Sequence, residues 1–335
     1  MRHGLGLFSV TDVFVSTVPF ATYDSSPLVR LEQQGINVLI NPLERRLQPD
    51  ELVRFIGDSE VLIAGTEPIT ADVMTAAPKL KVIARVGVGL DNVDLLSARQ
   101  NGIQVTYTPD APAPAVAELA IANMMALLRG VHEANLGLHS EQWHRYMGRR
   151  LATVTVGIIG VGRIGERVAE HLANFETSRI LANDVDSPKR AARLPDVEWV
   201  DKEFLLRNSD IVSVHVPLTS DTRNLITKRK LLCMQPDAVL INTSRGGIVN
   251  ERDLFDVLES GHLGGAAIDV FEEEPYRGCL TKTDRVILTC HMGSMTRDCR
   301  ARMESEATND ALRHFDGQPL QGLVPEFEYE ARATH

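Results

Sequence analysis

Three short segments carry side chains suited to acid–base chemistry on a carbonyl compound. Arg245 stands in INTSRGGIVN, the acidic run Glu272–Glu273–Glu274 in IDVFEEEP, and His291 in LTCHMGSMT. A guanidinium presents a planar fork of donors that can grip a carboxylate through two bonds. An imidazole beside a carboxylate keeps its proton to higher pH, because the opposite charge favours the imidazolium. Such a pair can hand a proton to a ketone oxygen while a nicotinamide supplies hydride. Taken singly, an Arg, Glu or His in a loop is most often solvated surface, and the acidic run alone does not choose among its members. Their common feature is position: each follows a predicted strand, at the edge where ligands sit in open parallel sheets.

The dinucleotide side of that chemistry has its own signal in Gly160-Val161-Gly162-Arg163-Ile164-Gly165. A lone GxGxxG is weak, but this one follows the apolar run TVGII and opens the helical pattern RIGERVAEHLANF. Glycines at these places permit a tight turn, close approach of a pyrophosphate to backbone amides, and close packing of helix on strand. The helix N-terminus adds positive dipole. Asp184 ends the next apolar strand, nineteen residues beyond Gly165, where a carboxylate can hold the adenine ribose diol. An acid there favours NAD over NADP; Asp186 and the basic pair Lys189–Arg190 argue weakly the other way.

These segments need a scaffold, and the pattern supplies one. Short β-branched runs at 12–17, 37–40, 60–64, 81–85 and 103–107 alternate with helix candidates 25–34, 49–57, 70–77 and 93–101. A second series places strands at 155–160, 179–184, 210–217, 238–243, 265–270 and 285–289, with helices at 163–174, 201–207, 225–234 and 250–260. Alternating β and α elements imply parallel sheets covered by helices on both faces. The expected fold class is α/β, two Rossmann-like doubly wound parallel-sheet lobes with the active site in the cleft between them. The dinucleotide lobe is expected over 113–294, and the substrate lobe over 1–112 plus the returning 295–335. The proline-rich stretch 107–116 is expected to forbid a continuous helix and act as a hinge, with a second at 291–296. Trp143 is expected to pack an interdomain helix, His144 to be solvated, and the Met124–Met125 pair to lie in a core.

Composition excludes more than it assigns. The chain has 335 residues, 45 acidic and 35 basic, a formal charge of 35 − 45 = −10. That balance gives no electrostatic footprint for nucleic acid or an anionic membrane surface. The apolar share of 44% and charged share of 24% are those of a folded globular chain. Cys233, Cys279, Cys290 and Cys299 form no CxxC pair and no zinc-ligand pattern, so reduced cytosolic thiols and no metal are expected. Val116–Leu128, the longest apolar-rich stretch, contains Glu118 and Asn123 and falls short of the roughly 20 residues a bilayer needs. A cytoplasmic protein is the expectation.

From Val82 to Thr296 the sequence resembles the D-isomer-specific 2-hydroxyacid dehydrogenases, most closely their D-3-phosphoglycerate-dehydrogenase-like branch. The matching pieces, in order, are RVGVGLDNVDL, AVAELAIANMMALLR, VGIIGVGRIG, HVPLTSDTRNLI, INTSRGGIVNERDL, AAIDVFEEEP and HMGSMT. The resemblance implies that the acid before the proline, Glu274, is the functional one, that it supports His291 as acid/base, and that Arg245 orients the substrate. It implies a substrate carboxylate received around Val88 and Gly89, with Arg85 as a further anion contact. It also implies that Gly160, Gly162, Arg163, Ile164, Gly165, Asp184, His215, Val216, Pro217, Thr222, Thr243, Ser244, Asp269 and Gly293 line the dinucleotide. Formate dehydrogenases of this fold place Gln where Glu274 stands, and a Glu–His pair suits keto-acid reduction instead.

The expected activity is therefore NAD-dependent interconversion of a small anionic 2-oxo acid and its D-2-hydroxy acid, with relatives implying a homodimer built on 115–129 and the arm 131–150. Phosphoglycerate-specific members usually carry an Arg where this chain has Gly65, which weakens that substrate and leaves a phosphonate analogue open. At this length no added C-terminal regulatory domain is expected. The second expectation is a corepressor-like, dinucleotide-sensing binding protein of the same fold with little turnover; oxidation of NADH against a panel of 2-oxo acids separates the two.

Overall fold

A computed structural model describes residues 11–186 and 192–333; the basic pair Lys189–Arg190 lies outside the described residues. The chain divides into two compact units, Met1–Pro112 with Thr296–His335, and Ala113–Met295.

The first unit alternates β1 (Val13–Val15), α1 (Ser26–Gln33), β2 (Val38–Ile40), α2 (Pro49–Ile56), β3 (Val61–Ala64), α3 (Ala71–Thr75), β4 (Val82–Arg85), α4 (Leu95–Gln100) and β5 (Gln104–Thr106). Its five strands are all parallel, in the order β2-β1-β3-β4-β5. Strands β1, β3 and β4 are buried at every position, as a sheet covered on both faces requires. The helix starts have local causes. Thr70 and Asp94 cap α3 and α4 by accepting the amides of Val73 and Ser97, and a capping box of Gln48 with Glu51 opens α2. The chain runs outward from β1 to β2, then returns to β3 on the other side of β1. The switch point of this sheet therefore lies between the ends of β1 and β3.

The second unit begins with two helices, α5 (Ala113–Arg129) and α6 (Val131–His139). Then come β6 (Thr155–Ile159), α7 (Arg163–Asn174), β7 (Arg179–Asn183), β8 (Glu198–Trp199), α8 (Lys202–Asn208), β9 (Ile211–Val214), α9 (Lys228–Leu231), β10 (Val239–Asn242), α10 (Glu251–Glu259), β11 (Gly265–Ile268) and β12 (Val286–Leu288). Seven parallel strands run β12-β11-β10-β9-β6-β7-β8. The switch point lies between β6 and β9. After this unit, α11 (Arg297–Phe315) and α12 (Glu326–Ala333) belong to the first unit.

Several expectations needed correction. The proline-rich stretch 107–116 does not stay irregular to its end: α5 starts at Ala113 and takes Pro114 into its first turn, where a missing N–H breaks no helical bond. The helix expected over 225–234 shrinks to Lys228–Leu231, because Ile226 pairs in parallel with Val249. Strand β8 went unforeseen; two residues with half-exposed side chains carry no periodic signal. Trp143 packs no helix and is 81% exposed. Met124 is fully buried, while its neighbour Met125 is partly exposed. No single helix among the described residues is long and apolar enough to cross a membrane.

Candidate active site

At the second unit's switch point, the turn after β6 leads into α7 through glycines with separate jobs. Gly160 has φ +90°, and a Cβ there would sit 2.8 Å from the His215 carbonyl; the loop after β9 lies directly across it. A Cβ on Gly165 would come 2.1 Å from the Gly160 carbonyl oxygen, so that glycine lets helix approach strand. Gly162 differs, since a Cβ there would meet no protein atom within 4 Å. It is the N-cap of α7 and offers no side chain to the first-turn amides, which leaves those donors and the helix dipole for an anion. Arg163 is exposed at the first helical position, and Ile164 packs against the core.

Asp184, just past β7, reaches back to this turn. One carboxylate oxygen accepts the Val161 amide at 2.7 Å and the other accepts that of Asp186 at 2.8 Å. Two further groups of the expected set hold buried polar atoms without a partner among the described residues: His215 Nδ1 and Thr243 Oγ1. The other ring nitrogen of His215 meets Ser213 Oγ at 2.8 Å, and burial pushes the imidazole down to about 4. Thr222 donates to the Pro217 carbonyl at 2.6 Å and thereby braces the loop that begins with His215 and Val216. An open glycine cradle, a bare helix N-terminus and two orphaned polar atoms make a setting that fits a dinucleotide.

The acid–base residues follow β10, β11 and β12, three neighbours in the same sheet. His291 Nδ1 lies 2.9 Å from Glu274 Oε2 and 3.1 Å from Oε1. Glu274 Oε1 also accepts the Phe271 amide at 3.1 Å, which fixes the carboxylate against its own loop. His291 adopts φ +50°, a left-handed conformation uncommon for a side-chain-bearing residue. It is held there by Asp269, a 1% exposed residue at the end of β11. The Asp269 carbonyl accepts the His291 amide at 2.7 Å. Its Oδ1 accepts Thr289 Oγ1 at 2.6 Å and the Met292 amide at 2.9 Å, while Oδ2 accepts the Gly293 amide at 2.9 Å.

Arg245 stands in a turn clamped by Asn242, whose Oδ1 accepts the amide and hydroxyl of Ser244 and whose amide group donates to the Arg245 carbonyl. A Cβ on Gly246 would fall 1.9 Å from the backbone of Phe271. That close approach brings the Arg245 loop onto the loop carrying Glu274. Sequence reasoning missed Asn242, Gly246 and Phe271 in this role; only the AAIDVFEEEP and INTSRGGIVN spacings hinted at it.

In the first unit, Val88 and Gly89 lie in the loop after β4. Arg85, expected as an anion contact, is 3% exposed. Its Nε and Nη2 donate to the Gly89 carbonyl at 3.2 and 2.8 Å, and Nη1 to that of Ala64 at 3.1 Å. The guanidinium therefore shapes the 86–89 loop. The Gly87 amide donates to Thr108 Oγ1 at 2.9 Å.

Comparison with known proteins bears on the family of the chain. The family model described as D-isomer specific 2-hydroxyacid dehydrogenase, NAD binding domain, matches residues 121–293. A hydroxypyruvate reductase of Thermotoga maritima is 37% identical over 297 residues, covering 85% of this chain and 96% of that one. A D-3-phosphoglycerate dehydrogenase of Methanocaldococcus jannaschii is 39% identical over 83% of this chain but only 54% of its own length. Among solved structures, the TT0316 protein from Thermus thermophilus superposes with a TM-score of 0.85 at 34% identity, covering 94% of this chain and all of that one.

Proposed function

This chain belongs to the D-isomer specific 2-hydroxyacid dehydrogenase family, and on that premise we propose that it reduces a small 2-oxo acid to its D-2-hydroxy acid with His291 as proton donor. It is an NAD-dependent oxidoreductase; NAD, when bound, supplies the hydride chemistry. Gly160, Gly162, Gly165 and the first turn of α7 would hold the pyrophosphate, and Asp184 the adenine ribose. His215, Val216, Pro217, Thr222, Thr243, Ser244, Asp269 and Gly293 would line the rest.

The observation that carries the proposal is the His291–Glu274 pair at 2.9 Å. Glu274 orients the ring through Nδ1, which leaves Nε2 to give its proton to a ketone oxygen and to take one back in the oxidative direction. Arg245 grips the substrate carboxylate. In the first unit, taken by itself, the Val88 and Gly89 amides are suited to a carboxylate, and Arg85 serves them by holding their loop. Assays of NADH oxidation against 2-oxo acids test the scheme. His291→Asn should lose turnover by a factor of roughly 100 or more while NADH still binds; near-normal turnover sinks the assignment.

The functional unit we propose is a homodimer. Residues 140–150 are all exposed, with Met147 at 99% and Trp143 at 81%, yet Tyr146 seats its ring against Gly130 and Gly148 packs on the Leu128 carbonyl. An arm so anchored, which leaves Trp143, Tyr146 and Met147 exposed among charged neighbours, is suited to a second copy. Analytical ultracentrifugation should give twice the chain mass, and Trp143→Ser with Met147→Ser should shift it toward the monomer.

A further inference from the structure

Glu274 reaches His291 from a loop, and its aim depends on what fixes that loop. Glu274 Oε1 accepts the Phe271 amide at 3.1 Å, so the carboxylate moves with the stretch 271–276. Two residues before Glu274, the Glu272 amide donates to Glu251 Oε1 at 2.8 Å. Two residues after it, Tyr276 lays its ring on that of Phe271, with centroids 4.0 Å apart and planes 16° from parallel. The Tyr276 hydroxyl accepts the Leu280 amide at 3.1 Å and bonds in turn to the Glu251 carboxylate. One carboxylate on α10 therefore holds the loop on both sides of Glu274. The acid–base scheme gives it no task.

Glu251 is itself a fixed point. It is half-buried at the first position of α10, whose N-cap Asn250 accepts the Asp253 amide at 2.9 Å. Its carbonyl accepts Cys279 Sγ at 3.6 Å. Leu254, Val257 and Leu258 anchor that helix in the core that also holds Phe271 and Leu280. Gly278 leaves room for the Tyr276 hydroxyl, since a Cβ there would lie 2.4 Å from it. The neighbouring acids have other surroundings: the Glu272 side chain pairs with Arg223 at 3.1 Å, and Glu273 is exposed. Taking a carboxylate partly out of water is unfavourable unless its oxygens are bonded, and the bonds of Glu251 go to the loop of Glu274.

We propose that Glu251 and Tyr276 are positioning residues of the proton relay, clamping the loop so that Glu274 meets His291 Nδ1. This rests on the reduction with His291 as proton donor proposed above. NADH oxidation is followed with glyoxylate, hydroxypyruvate and pyruvate, and whichever acid turns over best is carried to the variants. Glu251→Ala frees the loop on both sides and should lower kcat by roughly tenfold or more, because a misplacement of about 1 Å can cost that much. KM and the NADH Kd should change by less than about twofold. Glu251→Gln keeps an acceptor for the Glu272 amide and should restore most of the loss. Tyr276→Phe keeps the stacked ring, removes the hydroxyl and should lower kcat by roughly threefold or more. It carries the test if melting shows that Glu251→Ala does not fold.

Residues that act through Glu274 should not add to its loss. In the Glu274→Gln background, Glu251→Ala should lower kcat by less than about threefold further. The full loss in that background overturns the clamp, as does a folded Glu251→Ala or Tyr276→Phe variant with the kcat of the parent. So does a Glu251→Gln variant as slow as Glu251→Ala, or a fall in NADH affinity as large as the fall in kcat, which marks a general loosening of the unit. Near-normal turnover by His291→Asn, or a protein that binds NADH and reduces none of the three acids, overturns instead the reduction on which the clamp rests.

Discussion

The Asp269 carboxylate holds the Gly293 amide at 2.9 Å and, through Oδ1, the Met292 amide at the same distance. The turn bearing His291 is thus fixed from β11, one strand away from its own. Asp269→Asn keeps the shape but swaps one acceptor oxygen for an NH2 group that faces a donor. A loss of roughly 1–3 kcal/mol is expected for each buried donor left unpaired. Thermal melting should register the loss, and kcat should fall with it; an unchanged melting temperature and kcat would show that the turn holds itself.

Glu274 places negative charge 2.9 Å from the His291 ring. Glu274→Gln keeps the shape but halves the acceptors offered to Nδ1, and the ring loses its partner of fixed orientation. It should lower kcat by roughly tenfold or more while NADH binding survives; an unchanged kcat counts against the pairing.

The glycines of the dinucleotide turn separate folding from binding. Gly165→Ala drives a methyl to 2.1 Å from the Gly160 carbonyl and should destabilise the second unit strongly. Gly162→Ala meets no protein atom within 4 Å. It should leave the melting temperature nearly untouched while weakening NADH binding by roughly tenfold or more, as read by fluorescence titration. If both variants lose stability equally, the two roles have been misassigned.

His215 links stability to pH. Its ring titrates near 6.5 when solvated and is pushed down to about 4 by burial, so the unfolded chain binds the extra proton between those values. The stability this group contributes is present above pH 6.5 and lost as pH falls toward 4, by about 3 kcal/mol at most. Melting temperatures of His215→Asn should decline less steeply than those of the parent over that window. Parallel declines would mean that other groups set the slope.

Much of this could be read from residue order. The GVGRIG turn, the carboxylate at 184 and the strand-end placement of Arg245, Glu274 and His291 are local patterns, and local patterns survive in a linear sequence. Long-range close approaches do not. Nothing in RVGVGLDNVDL tells that Arg85 will spend its guanidinium on the Gly89 and Ala64 carbonyls, because its alternatives depend on where β3 ends. Glu67 is equally silent, since its carboxylate accepts the hydroxyl of Ser16, fifty-one residues away. Pro114 misled for a different reason: proline marks both an irregular stretch and a helix's first turn, and only the helix that follows distinguishes them.

The loops that carry Arg245, Glu274 and His291 all spring from consecutive strands of one sheet, while Glu67 and the 86–89 loop belong to another unit. If the proposed scheme holds, proton handling is written in the second unit alone, within loops that follow β10, β11 and β12. Damage to His291 or Glu274 should then silence every 2-oxo acid to the same degree.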